Sequence, residues 1–344
     1  MGDARELLKA LRVKRVLVVA DPYFREGVAQ RLGEAAGEQA EYFFDVEPDP
    51  TVELAAKGAS VVKKFAPELV VALGGGSAMD LAKSMVWFSG VPARLAAIPT
   101  TSGSGSEVTD FAILTHGGIK HPLVDPALRP HMAILDTALV EKLPRALVAD
   151  GGFDALTHAL EAYTATGANA FSDALAQSAF STVLNRLERS YGGCGDARGQ
   201  VHYAATMAGL AFNQAGLGLC HAMSHALGGQ FHLPHGRLNA ILLPGVMEVN
   251  GCHSRYARLA RQAGLEGRSD TMAVRSLRNT LLGLRKRLGL PATLAEAGVT
   301  RQSLSVCRDG LLKAVLEDPC CKTNPIPVTV ETVSRVLKLV SGHG

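Results

Sequence analysis

The strongest constraint on the fold is a series of short, almost uninterrupted apolar runs separated by helical stretches. Arg15-Val-Leu-Val-Val-Ala20 ends at Asp21-Pro22, and Glu41-Tyr-Phe-Phe44 runs toward a turn at Pro48-Asp-Pro-Thr51. Glu68-Leu-Val-Val-Ala-Leu73 ends at three glycines, and Ala96-Ala-Ile-Pro99 ends at a hydroxyl-rich loop. Strands that are apolar at every position are buried on both faces, which is the condition of a parallel sheet covered by helices. Leu7, Leu8 and Leu11 place an apolar stripe on a helix over 4–12, and Thr51 can cap a helix over 52–65. His116-Gly-Gly118 between Phe111–Thr115 and Lys120–Val124 predicts a hairpin, and Met132-Ala-Ile-Leu-Asp136 predicts one more strand. The alternation predicts a Rossmann-like, doubly wound α/β domain.

From Pro144 the texture changes. Strand-like runs vanish and Ala/Leu-rich helical periodicity continues almost to the end. The expected division is an α/β domain over 1–146 and an all-α domain over 147–344.

Composition excludes several functions. With 47% apolar and 19% charged residues the chain can bury a large core and is not disordered. A net charge of +3 without a basic run gives no footprint for nucleic acid. No apolar run approaches the roughly 18 residues that span a bilayer, and the N-terminus lacks a signal-peptide layout. The six cysteines (Cys194, Cys220, Cys252, Cys307, Cys320 and Cys321) are scattered without a CxxC, which predicts reduced thiols in a cytoplasmic protein.

Chemistry concentrates in residues 154–235. Asp154 and His158 are spaced i,i+4, as are His221 and His225, so each pair shares a helix face. His235 follows in a turn-like Leu233-Pro-His-Gly236. One such pair on its own is most often a surface helix pair. Four histidines between His221 and His235 in a weakly charged, Gly- and Ala-rich setting are better explained as donors to a divalent first-row metal, because unpaired imidazoles are costly to bury. Cys220, beside His221, is either a further donor or a small buried core thiol.

Two loops invite a second ligand. Gly74-Gly-Gly-Ser77 lies between a strand and a helix, where missing Cβ atoms and free helix N–H groups suit a pyrophosphate, although a tight strand-to-helix turn has the same composition. It is neither GxGxxG nor a Walker loop. Thr100-Thr-Ser-Gly-Ser-Gly-Ser106-Glu107 is either a flexible connector or a second ligand cradle.

Taken together, Gly74-Gly-Gly-Ser77-Ala-Met-Asp80-Leu-Ala-Lys83, Pro99-Thr-Thr-Ser-Gly-Ser-Gly-Ser-Glu107-Val-Thr and Gly216-Leu-Gly-Leu-Cys-His221-Ala-Met-Ser-His225 resemble the iron-containing (group III) alcohol dehydrogenase family over nearly the whole chain. Val86-Trp-Phe-Ser89, Gly228-Gly-Gln-Phe-His-Leu-Pro-His235-Gly and Lys322-Thr-Asn-Pro325 are similar to its branch of 1-propanol dehydrogenases in propanediol-utilising bacterial microcompartments. The resemblance implies the dehydroquinate synthase-like fold, with a metal held by Asp154, His158, His221 and His235, usually Fe²⁺ and sometimes Zn²⁺. His225 is implied near the metal and nicotinamide, as a proton relay or as a residue orienting a ligand. His232 and His253 match no donor. NAD(H) is implied on Gly75, Gly76, Ser77, Thr100, Thr101 and Ser104, with Lys120 at the ribose. Asp21 is either a carboxylate at the adenosine ribose, favouring NAD over NADP, or an ordinary strand-end turn.

The implied reaction is reversible aldehyde/alcohol oxidoreduction, with propionaldehyde reduced to 1-propanol by NADH. Partners are expected to be the small substrate, further copies of the chain and, inside a microcompartment, an aldehyde dehydrogenase or shell protein, with neither nucleic acid nor membrane. The resemblance also implies a first cofactor-domain strand ahead of the given start; either that strand is absent, which would expose a sheet edge, or the start is placed late. Alternatives are a glycerol dehydrogenase-like or maleylacetate reductase-like relative and a weakly active assembly component of a microcompartment.

Overall fold

The computed structural model describes Glu6, residues 9–251 and residues 254–343. The chain divides into two compact units on either side of Leu143 and Pro144. In chain order the first contains β1 (Val13–Ala20), α1 (Val28–Ala36), β2 (Gly37–Phe43), α2 (Val52–Phe65), β3 (Leu69–Gly74), α3 (Gly76–Ser89), β4 (Arg94–Pro99), the hairpin β5 (Phe111–His116) and β6 (Ile119–Val124), and β7 (Met132–Ala133).

Five strands form one parallel sheet in the order β2-β1-β3-β4-β7. The apolar runs explain why. Leu17, Val19, Val70, Ala72, Leu95 and Ala97 point to one face and pack with Ala55, Val62, Met79 and Met85 of α2 and α3. Val16, Val18, Leu69, Val71, Ala96 and Ile98 point to the other and pack with Ala29 and Leu32 of α1. Because each strand is apolar on both sides, neither face can be left to water. The strand order reverses between β1 and β3, and in open α/β sheets ligands bind beyond the carboxyl ends of the strands at that reversal. Asp21 and Gly74–Ser77 stand at those ends.

The expected segments differ from the observed ones mostly at their ends. β2 starts at Gly37 rather than Glu41, because parallel pairing with β1 carries it through polar residues that are partly exposed at the sheet edge. The strand expected over 132–136 is reduced to Met132–Ala133, since Asp136 is taken as the cap of a 3₁₀ turn. The hairpin turns on Gly117 and Gly118 with φ +58° and +77°, the left-handed backbone of a two-residue type I′ loop. Thr51 Oγ1 accepts from the Leu54 N–H at 3.1 Å and caps α2, as expected. Leu7, Leu8 and His253 lie outside the described residues.

The second unit is helical: α4 (Arg145–Thr164), α5 (Ala170–Tyr191), α6 (Gly195–Ala215), α7 (Leu219–Phe231), α8 (His235–Asn250), α9 (Ser254–Gln262), α10 (Asp270–Arg287), α11 (Arg301–Glu317) and α12 (Val330–Val340). Its axis is α4, buried on all sides from Phe153 to Thr164 and packed by α5, α6 and α8. A helix buried all round is normally apolar all round. This one instead carries Asp150, Asp154, Thr157, His158 and Glu161, which marks the face where chemistry is concentrated. No described helix is long and apolar enough to cross a membrane.

Candidate metal centre and cofactor loops

Four side chains converge inside the helical unit. Asp154 and His158 come from adjacent turns of α4, His221 from the first turn of α7, and His235 is the first residue of α8. His232, at φ +52°, ends α7 in the left-handed conformation, and Pro234 directs the chain into α8, so three linking residues bring His235 back toward Asp154. The Nε2 atoms of His158, His221 and His235 lie 3.9, 3.8 and 3.6 Å from one oxygen, Asp154 Oδ1. Those separations are too long for hydrogen bonds. They are close to the roughly 3.4 Å expected between donors that share a tetrahedral cation at about 2.0–2.1 Å. The donor atoms of Asp154, His158 and His221 all lie within 4.8 Å of one another and all three residues are buried. The set therefore fits a divalent cation, with N₃O chemistry that suits iron and zinc alike.

The surroundings hold the donors in register. His221 Nδ1 lies 2.6 Å from Glu161 Oε2, which leaves Nε2 to face the cavity. The same carboxylate accepts the backbone N–H groups of Gly218, Cys220 and His221 at 3.1, 2.8 and 3.3 Å, capping α7 from a neighbouring helix. Asn239 Nδ2 donates to Asp154 Oδ1 at 2.8 Å, and its carbonyl oxygen accepts from Ser224 Oγ at 2.5 Å. The His158 ring stacks between His221 and Phe212 at 4.4 and 4.5 Å. Burial alone would raise the Asp154 carboxyl, but the imidazoles of His158, His235 and His221 outweigh it and hold the group well below the usual carboxylate range. Burial lowers the His221 imidazole, but Asp154 and Glu161 overcome this and raise it to about 9.

His225 stacks on His235 at 5.2 Å, and its Nδ1 lies 2.8 Å from Asp318 Oδ2. Cys220 is resolved as the core-thiol alternative. Burial, and after it the Glu161 and Asp154 carboxylates, push its thiol well above the usual range, and Sγ donates toward Asn239 at 3.7–3.8 Å. His232 is exposed and faces none of the donors.

Glu161, Asn239 and Asp318 were not apparent as site residues in the sequence. Glu161 alone left a trace, standing seven residues after Asp154 and three after His158 on the same helix. Glu161→Gln is expected to keep the fold and lower metal affinity about 10- to 100-fold, the usual cost of losing such a support, as read by chelator competition.

In the first unit, the two loops expected to hold a cofactor pack directly on each other. Thr100 N–H donates to Gly74 O at 2.8 Å. A Cβ on Gly75 would stand 3.2 Å from Thr101 Cγ2, and one on Gly76 would stand 3.2 Å from Ser104. The glycines thus let the second loop approach as well as opening the helix start. The α3 N-terminus has no side-chain cap, so its N–H groups at Gly76 and Ser77 remain for an anion. The hydroxyl-rich loop is not a floppy connector. Lys83 of α3, 1% exposed, reaches Ser106 Oγ at 3.3 Å, Thr109 Oγ1 at 3.2 Å and the carbonyls of Thr109 and Phe111 at 2.9 and 2.7 Å. Ser106 in turn donates to Asp80 Oδ1 at 2.5 Å. Burial lowers the Lys83 ammonium to about 8, although Asp80, Glu107 and Asp110 oppose the shift, and burial raises the Asp80 carboxyl against the pull of Lys83.

Asp21 Oδ1 accepts from the Tyr23 N–H at 2.9 Å, which is the strand-end turn, while its backbone sits beside Gly74 at the reversal point. Lys120 Nζ is paired with Asp49 Oδ1 at 2.6 Å and its side chain is 11% exposed, so it stands in the structure as an ion pair.

A parallel-sheet unit with a glycine loop at its strand reversal, together with a helical unit holding a largely buried three-histidine, one-carboxylate set that fits a divalent cation, is the architecture of the dehydroquinate synthase-like class of enzymes. The iron-containing alcohol dehydrogenase family model matches residues 1–137, and the C-terminal Fe-containing alcohol dehydrogenase model matches 148–340. The chain belongs to the iron-containing alcohol dehydrogenase family. It is 40% identical to the 1-propanol dehydrogenase PduQ of Citrobacter freundii, covering 97% of this chain and 95% of that one. It is 37% identical to an NADPH-dependent butanol dehydrogenase of Clostridium saccharobutylicum, covering 97% and 94%. The iron-containing alcohol dehydrogenase structure from Thermococcus thioreducens superposes with a TM-score of 0.92 at 34% identity, covering 99% and 97%.

Proposed function

We propose that the chain reduces short aliphatic aldehydes to primary alcohols with NADH, propionaldehyde to 1-propanol being the preferred pair. The observation that carries this reading is the convergent Asp154/His158/His221/His235 donor set, three members of which are buried. We further propose that the unit before Leu143 holds the nicotinamide cofactor and that the unit from Pro144 holds the metal. A divalent cation held by these four donors supplies Lewis-acid polarisation of a carbonyl oxygen, and the bound nicotinamide supplies the hydride.

The chain's own groups do the rest. Glu161 and Asn239 fix the orientation of His221 and Asp154, so the donors meet the cation without rearranging. The uncapped N–H groups of α3, with Gly75, Gly76 and Ser77, receive the pyrophosphate, and Thr100, Thr101 and Ser104 close the other side. Lys120 would have to leave Asp49 in part to reach a ribose. His225, held through Nδ1 by Asp318, presents Nε2 as the atom that gives a proton to the nascent alkoxide. Asp318→Asn is expected to lower kcat about 10- to 100-fold while leaving metal content unchanged, which separates orientation of His225 from metal binding.

One relative bears the description NADPH-dependent, so cofactor choice needs its own argument. A carboxylate at Asp21 would bond a ribose 2′-hydroxyl and repel a 2′-phosphate. Asp21→Ser is expected to shift the NADH/NADPH ratio of kcat/KM toward NADPH by about tenfold, on the order of 1.4 kcal/mol. We also propose, from the sequence similarity to propanediol-utilising systems, that the enzyme works as a homo-oligomer in the cytoplasm, inside a microcompartment and beside an aldehyde dehydrogenase or shell protein.

The test is NADH oxidation with propionaldehyde by protein purified without oxygen, as apo-protein and after addition of Fe²⁺ or Zn²⁺. Turnover restored by metal supports the proposal. No turnover with any short aldehyde by metal-loaded protein would overturn it.

A further inference from the structure

A second cavity lies in the helical unit, formed by residues that play no part in the site above. Its volume is about 980 Å³ and it opens to solvent between the start of α4, the end of α5, α8, the end of α10 and the segment that follows it. Cavities of about 300–1,000 Å³ hold small organic ligands. Tyr191, Leu290 and Pro291 give it apolar walls, and Arg237, Arg285 and Lys286 give it three cations.

Among the described residues, one of the three cations is ion-paired and the other two are not. Arg237 uses Nε and Nη2 on Asp150 at 3.2 and 2.9 Å, leaving Nη1. Arg285 donates through Nη1 to the Ala240 carbonyl of α8 at 3.3 Å, so it does not serve the carboxyl end of its own helix. Among the described residues no carboxylate stands at ion-pair distance from Arg285 or Lys286. Burial depresses the Arg285 guanidinium against the pull of Glu296, the one carboxylate in the lining. Glu296 itself accepts the Ala292 N–H at 2.8 Å. Arg145 stacks on Tyr191 at 4.2 Å, bringing a further positive charge to the wall. Three lining cations face Glu296 and the Asp150 partner of Arg237, so the cavity is net positive. A half-buried guanidinium without a counter-ion is costly unless something supplies one.

We propose that this cavity binds a small organic anion, its phosphate or carboxylate head on Arg237, Arg285 and Lys286 and an apolar or aromatic body against Tyr191, Leu290 and Pro291. The site shares α4 and α8 with the metal donors. Asp150 lies one turn before Asp154, and Arg237 lies two residues after His235. An occupant therefore braces the two helices that carry three of the four candidate metal donors and should raise the melting temperature of the protein.

The experiment is calorimetric titration of metal-loaded, NADH-saturated enzyme with phenyl phosphate, benzoate and the neutral benzamide. Saturation with NADH keeps the anions off the pyrophosphate loop. Binding of either anion, with benzamide at least about tenfold weaker, is the expected result. Which anion binds tighter distinguishes a phosphate ester from a carboxylate as the natural head. Arg285→Glu and, independently, Lys286→Glu should each weaken the anion by about tenfold. Lys286 is exposed, so its variant folds even if Arg285→Glu does not. His221→Ala, which empties the metal site, should leave anion affinity unchanged. No binding of either anion, equal binding of benzamide, unchanged affinity in Lys286→Glu, or loss of binding in His221→Ala would each overturn the proposal.

Discussion

Asp154→Asn is expected to leave a folded protein that holds almost no metal and has lost aldehyde reduction by on the order of 10³-fold, since the cation contributes several kcal/mol to the transition state. Asp154 Oδ1 is the one atom near which three imidazoles converge, at 3.6 to 3.9 Å. It is also the acceptor for Asn239 Nδ2. An amide at 154 would keep its oxygen in the Oδ1 place, on Asn239 and toward the imidazoles, and put its NH₂ group where Oδ2 stands. The position then keeps a neutral oxygen but loses the negative charge that makes it a strong donor to a divalent cation. Metal content per chain after anaerobic gel filtration, measured with kcat/KM for propionaldehyde, reads both effects. Wild-type metal content together with wild-type turnover would show that the cation sits elsewhere.

Lys83→Met is expected to destabilise the first unit by about 3–5 kcal/mol, the usual cost of removing one partner from a buried charged network. The side chain is fully enclosed and ties α3 to the loop that follows β4 through Ser106, Thr109 and Phe111. Methionine fills the volume but removes the ammonium that donates to the Thr109 and Phe111 carbonyls and whose charge pulls on Asp80. Thermal melts followed by circular dichroism would show the loss, and a melt within a degree of wild type would refute it. The pH dependence carries a second signature. The Lys83 ammonium titrates near 8 in the folded chain against an ordinary value of 10.5. Between those values the unfolded chain binds the extra proton, so this residue's contribution to stability rises with pH from about 8 to 10.5 and is lost as pH falls through 8. The methionine variant should lack that rise.

Lys83 also shows where sequence reading stops. The strands of the first unit were legible because they are apolar on both faces, and α2 because Thr51 announces its start. The convergence of candidate donors was legible because i,i+4 spacing brings Asp154 to His158 within one helix, and four histidines crowd between 221 and 235. Nothing local pairs Glu161 with His221, Asp318 with His225, or Lys83 with Thr109. Those contacts join residues 60, 93 and 26 positions apart. They exist only once the helices have packed. The alternatives at Cys220 and in the hydroxyl-rich loop were settled in the same way. Burial without a cationic partner keeps the thiol protonated, and a buried lysine pins the loop.

Glu161 caps α7 and holds His221 Nδ1 with the same two oxygens. Start of helix and orientation of the imidazole ring are therefore one event of packing. A cation entering such a site meets rings already aimed and displaces a proton from His221, and little of its binding energy goes into reordering the protein. Any replacement at position 161 that frees the imidazole therefore also opens the end of a helix.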